Sequence, residues 1–195
     1  MSLSPIKQEI LSSMLLNAHP QTAQDIAQDI QKELQPVTIN LLCLQNMGYV
    51  LNEKDQYTLT KSGKQILGIP EITKEKAEAI LAYVPHDKAF NFCTPDNQPL
   101  HIHAHNLRDF ATKLEKVDLA SIEFHLTCGD FETWFSCLCD EELAKKTILL
   151  KQKNLPSKEL RNQLQTITQQ RYIELAKLAD IPIPTEHDHT HHHHH

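Results

Sequence analysis

The stretch "LQNMGYVLNEKDQYTLTKSGKQIL", Leu44 to Leu67, decides how the first third of the chain is read. A helix ending at Gly48 suits it, because glycine takes the left-handed conformation that closes a helix without steric cost. "YVLNE" and "QYTLT" follow, two runs of alternating polarity around Lys54-Asp55, and that pattern predicts a β-hairpin. Ser62 then opens a short helix, "GKQIL".

Upstream, Ser4 as N-cap with Pro5 at the first helical position predicts a first helix, with Ile6, Ile10, Leu11, Met14 and Leu15 on one apolar face. "NAHPQ" breaks it. Thr22 predicts the cap of a second helix, with Asp25 placed for a capping box and Ala23, Ile26, Ala27, Ile30 and Leu34 on the buried side. Pro36 is expected at the first position of a third helix, whose Val37, Leu41 and Leu44 point inward. Its outward face is then Thr38, Ile39, Asn40, Leu42, Cys43, Gln45 and Asn46. Gly68-Ile69-Pro70 marks a boundary, giving a first domain over residues 1–70.

Residues 71–184 read as a second domain. "EITKEKAEAILAYV" predicts a linking helix with Ile72, Ala79, Ile80 and Val84 inside, stopped by Pro85. "KAFNFCT" and "PLHIHAH" flank the turn "PDNQ" and predict a second hairpin. Asn106 caps a helix carrying Leu107, Phe110, Leu114 and Val117; "SIEFHL" suits strand and helix equally. Asp130 is expected to cap a helix with Phe131, Trp134, Phe135 and Leu138 at helical spacing, and Asp140 to cap "EELAKKTILLKQ". A last helix runs from Ser157 to Ala179, with Leu160, Leu164, Ile167, Leu175 and Leu178 inward. The fold class is mostly α, α+β in detail: a three-helix and hairpin unit followed by a small helical domain with its own hairpin.

The spacing Leu41, Leu44, Gly48, Tyr49, Val50, then Tyr57, Leu59, Thr60, Gly63, resembles the winged helix-turn-helix of small prokaryotic regulators of the MarR and PadR kind. The resemblance covers residues 4–68. It implies a DNA-binding transcriptional regulator, in which Thr38, Asn40, Gln45 and Asn46 face base edges and Lys54, Lys61 and Lys64 face phosphate. A homodimer would supply two half-site contacts. Winged helices also serve as docking modules, and Ile39 and Leu42 suit a protein partner, so an interaction adaptor is the first alternative and a metal-handling protein, through the histidines, the second.

Charge bears on that choice. The formal net charge is −6 over 195 residues, so any nucleic-acid binding must be local. Within 1–70 there are Lys7, Lys32, Lys54, Lys61 and Lys64 against Glu9, Asp25, Asp29, Glu33, Glu53 and Asp55. DNA affinity rests on phosphate neutralisation and counterion release, and this domain brings little of it.

A second resemblance covers residues 86–177. Ala104, Leu107 and Phe110, then "SIEFHLTCGDFETW" and Asp140, Leu143 and Ala144, resemble an uncharacterised prokaryotic domain family with the signature S-[IL]-E-[FY]-H-x-x-x-G-D-F-E-x-W. The family often carries Arg where this chain has Cys128. The resemblance implies no activity; a sensing or assembly role is the expectation for this part. Glu123 and His125 would share a face on a strand, as a hydrogen-bonded structural pair or as the lining of a ligand pocket.

The other chemistries are poorly served. Four glycines and no G-x-G-x-x-G or G-K-[ST] argue against a phosphate loop. No H-E-x-x-H, G-x-S-x-G or S-x-x-K suggests catalysis, and no cofactor is implied. His101, His103 and His105 on a strand point to one side, with Cys93 across the hairpin, but i, i+2 neighbours stand about 7 Å apart, too far for one ion. No native metal site is therefore expected there. The five cysteines read as buried thiols of a cytoplasmic protein; Cys137 and Cys139, two apart on a helix, point to different sides. No signal peptide or membrane-spanning run is apparent. The tail 185–195, "EHDHTHHHHH" at its end, reads as a purification tag, or as a His-rich native tail that scavenges metal.

Overall fold

The computed structural model describes residues 3–183; the His-rich tail lies outside the described residues. The described residues are mostly helical with two antiparallel hairpins, and they divide into two compact units, with the boundary between Glu71 and Ile72.

In the first unit, α1 (Pro5–Leu16), α2 (Ala23–Ile30) and α3 (Leu34–Asn46) precede β1 (Val50–Glu53), β2 (Gln56–Leu59) and α4 (Lys61–Ile66). Pro5 sits at the start of α1, but the Ser4 side chain makes no capping bond. Thr22 and Asp25 form the expected capping box on α2. Two expectations shift at the next joint. Helix α2 ends at Ile30, with Gln31 left-handed, so Leu34 does not complete its buried side; it begins α3 and is half exposed. Pro36 therefore sits in the first turn of α3 rather than at its first position, where its missing N–H still costs nothing.

Val37, Leu41 and Leu44 of α3 are fully buried against Ile10, Leu11, Met14 and Ile26. Gly48 (φ +85) lets the chain leave α3, and the strands pair from Val50↔Leu59 to Glu53↔Gln56. Lys54 (φ 54) and Asp55 (φ 63) are both left-handed, as the two central residues of a type I′ turn must be. Gln21, between α1 and α2, exchanges backbone bonds with Tyr57 and adds a one-residue third strand. Helix α4 is capped by Thr60, not Ser62: the Thr60 hydroxyl accepts from Gly63 N–H and donates to Gly48 O. A side chain at Gly63 would collide with Tyr49 O and Leu59, so glycine is required there by space.

The second unit runs α5 (Lys74–Leu81), β3 (Phe90–Cys93), β4 (Pro99–Ala104), α6 (Leu107–Lys113), α7 (Leu119–Thr127), α8 (Asp130–Cys137), α9 (Glu141–Gln152) and α10 (Ser157–Leu178). Helix α5 is shorter than expected. Thr73 caps it, and Ala77, Ile80 and Leu81 face inward while Ala79 is exposed. "SIEFHL" is helix. On α10, Leu160, Leu164, Ile167 and Leu175 are buried, but Leu178 is half exposed at the helix end. The core is an aromatic cluster in which Phe90, Phe92, Phe110, Phe131, Trp134 and Phe135 stack and meet edge-on at 4.8–6.3 Å between centroids.

Two details correct the sequence reading. The cysteines are not buried: Cys43, Cys128, Cys137 and Cys139 are exposed and Cys93 is half-buried, which removes the buried-thiol argument for compartment. Cys137 closes α8, whereas Cys139 lies past its end in a left-handed conformation, so they do not share a helix.

Candidate functional site

Burial of Val37, Leu41 and Leu44 turns the opposite side of α3 to solvent. Ile39 is 55% and Leu42 58% exposed, and Thr38, Cys43, Gln45 and Asn46 are exposed beside them. The polar candidates differ in freedom. Thr38 Oγ1 donates to Leu34 O at 2.9 Å, a helical back-bond that leaves its acceptor lone pairs outward. Asn40 is spoken for: its Nδ2 donates to Pro36 O and its Oδ1 accepts from Lys7 Nζ, both at 2.8 Å. Half-buried and bonded at both ends, Asn40 ties α3 to α1 and does not present a free amide. Its two partners are the i−4 carbonyl of its own helix and a lysine on α1, and the second is visible only once the helices cross.

The cationic candidates are equally mixed. Lys54 lies exposed at the hairpin tip, between Glu53 and Asp55. Lys61 pairs with Glu71 at 3.5 Å, both well exposed, a contact worth little but enough to offset its charge. Lys64 is half-buried on α4. Apolar residues that the sequence reading did not assign to a surface widen the patch: Leu34 and Met47 at the ends of α3 and Leu51 on β1 are each half exposed.

In the second unit, Glu123 and His125 do not line one pocket. On helix α7 two residues apart means opposite sides. Glu123 is exposed and accepts from Ser157 Oγ at 2.8 Å. His125, 4% exposed, accepts the Cys93 N–H at Nε2 (2.9 Å); its proton is thus on Nδ1, which donates to Asp130 Oδ2 at 2.8 Å. Asp130 is therefore not the cap of α8. Gly129 (φ +78) occupies the cap position, and Asp130, the first helical residue, turns its carboxylate back to the histidine. The histidine is a clamp holding β3 to the α7–α8 corner. Asp140 does cap α9, accepting from Leu143 N–H, and it also accepts from Arg171 Nε at 3.1 and 3.0 Å. Arg171 reaches Glu142 and Glu174 as well, and Lys146 pairs with Glu142 at 3.2 Å. Burial alone would lower the Arg171 pKa; the three carboxylates outweigh it and hold it above its ordinary value.

The β4 histidines do not form a flat row. His101 is left-handed (φ 59), and the register slips between Asn91 and Cys93, so the alternation fails there. His103 Nδ1 donates to Asn91 Oδ1 and His105 Nδ1 to Val84 O, while the His86 ring is 4.7 Å from that of His103 and 6.0 Å from that of His105. Slight burial and the neighbouring His86, His105, His101 and Lys113 hold the His103 pKa below its ordinary value. Among the described residues no three His, Cys, Asp or Glu side chains are arranged to hold a metal ion, and no helix is long and apolar enough to cross a membrane. Comparison with protein families, with curated proteins and with solved structures finds no match to this chain.

Proposed function

We propose that residues 1–71 are a winged helix-turn-helix, with α3 as recognition helix and β1–β2 as wing, and that the chain is a DNA-binding transcriptional regulator. The second unit is then the sensing or assembly domain. The observation that carries this reading is the two-sidedness of α3: Val37, Leu41 and Leu44 lie at 0% exposure, and its other side, from Thr38 to Asn46, is open. In this reading exposed Gln45 and Asn46 face base edges, with Thr38 as acceptor and Lys54 on phosphate. Asn40 belongs to the scaffold in this reading. With so few cations per copy, binding depends on two copies acting on paired half-sites and falls gently with salt.

A second reading is favoured by a specific observation. More than half the surface of Ile39 and Leu42 meets water, beside the half-exposed Leu34, Met47 and Leu51, which suits an apolar protein partner. One pair of measurements separates the two. Fluorescence anisotropy with duplex DNA fragments at low salt should show binding that Gln45→Ala and Lys54→Gln weaken. If every fragment gives a flat titration while Leu42→Asp strips a co-purifying protein, the adaptor reading replaces the regulator.

A further inference from the structure

Helices α6 and α10 do not close completely on one another. Arg108 and Thr112 of α6 and Gln169 and Tyr172 of α10 border a surface pocket of about 280 Å³ that is open to solvent, with Arg108, Thr112 and Gln169 exposed. Its floor is Ala111, and Ile173 and Ile183 form apolar walls. The cavity exists because small Ala111 occupies a buried position where a larger side chain would fill the gap. One turn earlier on α10, Gln165 Nε2 crosses to Ala111 O and Glu115 Oε1, both at 3.0 Å, so the helices are pinned together there and part beyond it.

The lining is unbalanced in a telling way. Among the described residues no carboxylate pairs with the Arg108 guanidinium, although Asp109 beside it is engaged with Lys113. The Tyr172 hydroxyl and Gln169 carboxamide also lack described partners. Ile173 leaves 37% of its surface uncovered. A guanidinium with a fixed fork, two neutral hydrogen-bonding groups and an aliphatic wall together match one ligand chemistry.

We infer that this cavity is a binding site for a small aliphatic carboxylate, its head on Arg108 and its chain over Ala111, Ile173 and Ile183. Gln169 and Tyr172 donate to the head from the rim, while Thr112, whose hydroxyl already donates to Arg108 O at 3.0 Å, only borders it. The volume lies just under the usual range for ligand pockets, so the ligand is a small one. Nothing in this assignment requires the first unit to bind DNA, and it is tested without DNA.

The probe is sodium hexanoate, titrated into the full chain and followed by amide NMR shifts, with hexan-1-ol and hexylammonium as neutral and cationic counterparts. Saturable shifts centred on Thr112, Gln169 and Tyr172 are expected, with hexanoate at least about five-fold tighter than the alcohol. Arg108→Gln should erase that preference, leaving acid and alcohol alike. Ala111→Phe should abolish binding by filling the floor; if that variant does not fold, Thr112→Phe at the exposed rim obstructs entry instead. The assignment is overturned if hexanoate gives no saturable shift up to about 10 mM, if the alcohol binds as well as the acid, or if Arg108→Gln leaves the preference intact.

Discussion

The first unit buries Ile10, Leu11, Met14, Ile26, Ala27, Val37, Leu41, Leu44 and Val50, an aliphatic core with no charged side chain among its described buried residues. In the second unit, Asp140, Glu142, Lys146 and Arg171 are all less than 4% exposed, alongside an aromatic cluster and a clamped histidine. An aliphatic core is non-directional and tolerant, and the specificity of such a unit can sit on its outside, here on α3. A core of buried ions and bonded rings is directional; each group fixes the angle of two elements at once. The contrast places geometric precision inside the second unit, and the proposed contact surface lies outside the core of the first.

The sharpest way to break that contrast is Arg171→Met. It leaves Asp140 buried without its cation and Glu142 without one of its cationic partners, and we expect a loss of about 3–5 kcal/mol in urea unfolding of the second unit. A loss under about 1 kcal/mol would make the network dispensable and the contrast empty. Leu44→Ala, at 0% exposure in the first unit, should cost about 3 kcal/mol by cavity formation. His125→Leu removes the acceptor of Cys93 N–H and the donor to Asp130, and about 2 kcal/mol is expected in the same assay. Leu42→Asp, one position after buried Leu41 but on the open side, should change the unfolding free energy by no more than about 0.5 kcal/mol. A large loss there would mean that the face is covered. The smallest effect is the titration of His103. Its folded pKa is lowered, so as pH falls below the unfolded value near 6.5 the unfolded chain takes the proton more readily, and stability declines. A thermal midpoint of His103→Gln that keeps the full wild-type slope between pH 7 and 5 would exclude that residue as a source.

The elements with strong periodicity and a capping residue were legible from sequence: Thr22 with Asp25, Gly48, Asn106 and Asp140 all end or begin helices where local chemistry places them. The α3 face was legible too, because Val37, Leu41 and Leu44 leave only one outside. What failed depended on groups far apart in the chain. Asp130 looks like a cap until Gly129 takes a left-handed turn and His125 arrives as a partner. Asn40 looks like a base reader until Lys7 reaches it across 33 residues. Short "SIEFHL" carries apolar residues compatible with both periods, and tertiary packing decided for helix. Cysteines read as core by habit of type, although the spacing of Val37, Leu41 and Leu44 already put Cys43 on the outward side of α3, where it is exposed.

The turn between β1 and β2 has a practical corollary. Its two central positions favour Asn-Gly, and this chain keeps Lys54-Asp55 there in a backbone conformation that side chains with a β-carbon adopt reluctantly. Grafting Asn-Gly onto the loop should raise the melting temperature while deleting a cation, thereby uncoupling robustness from whatever the lysine touches.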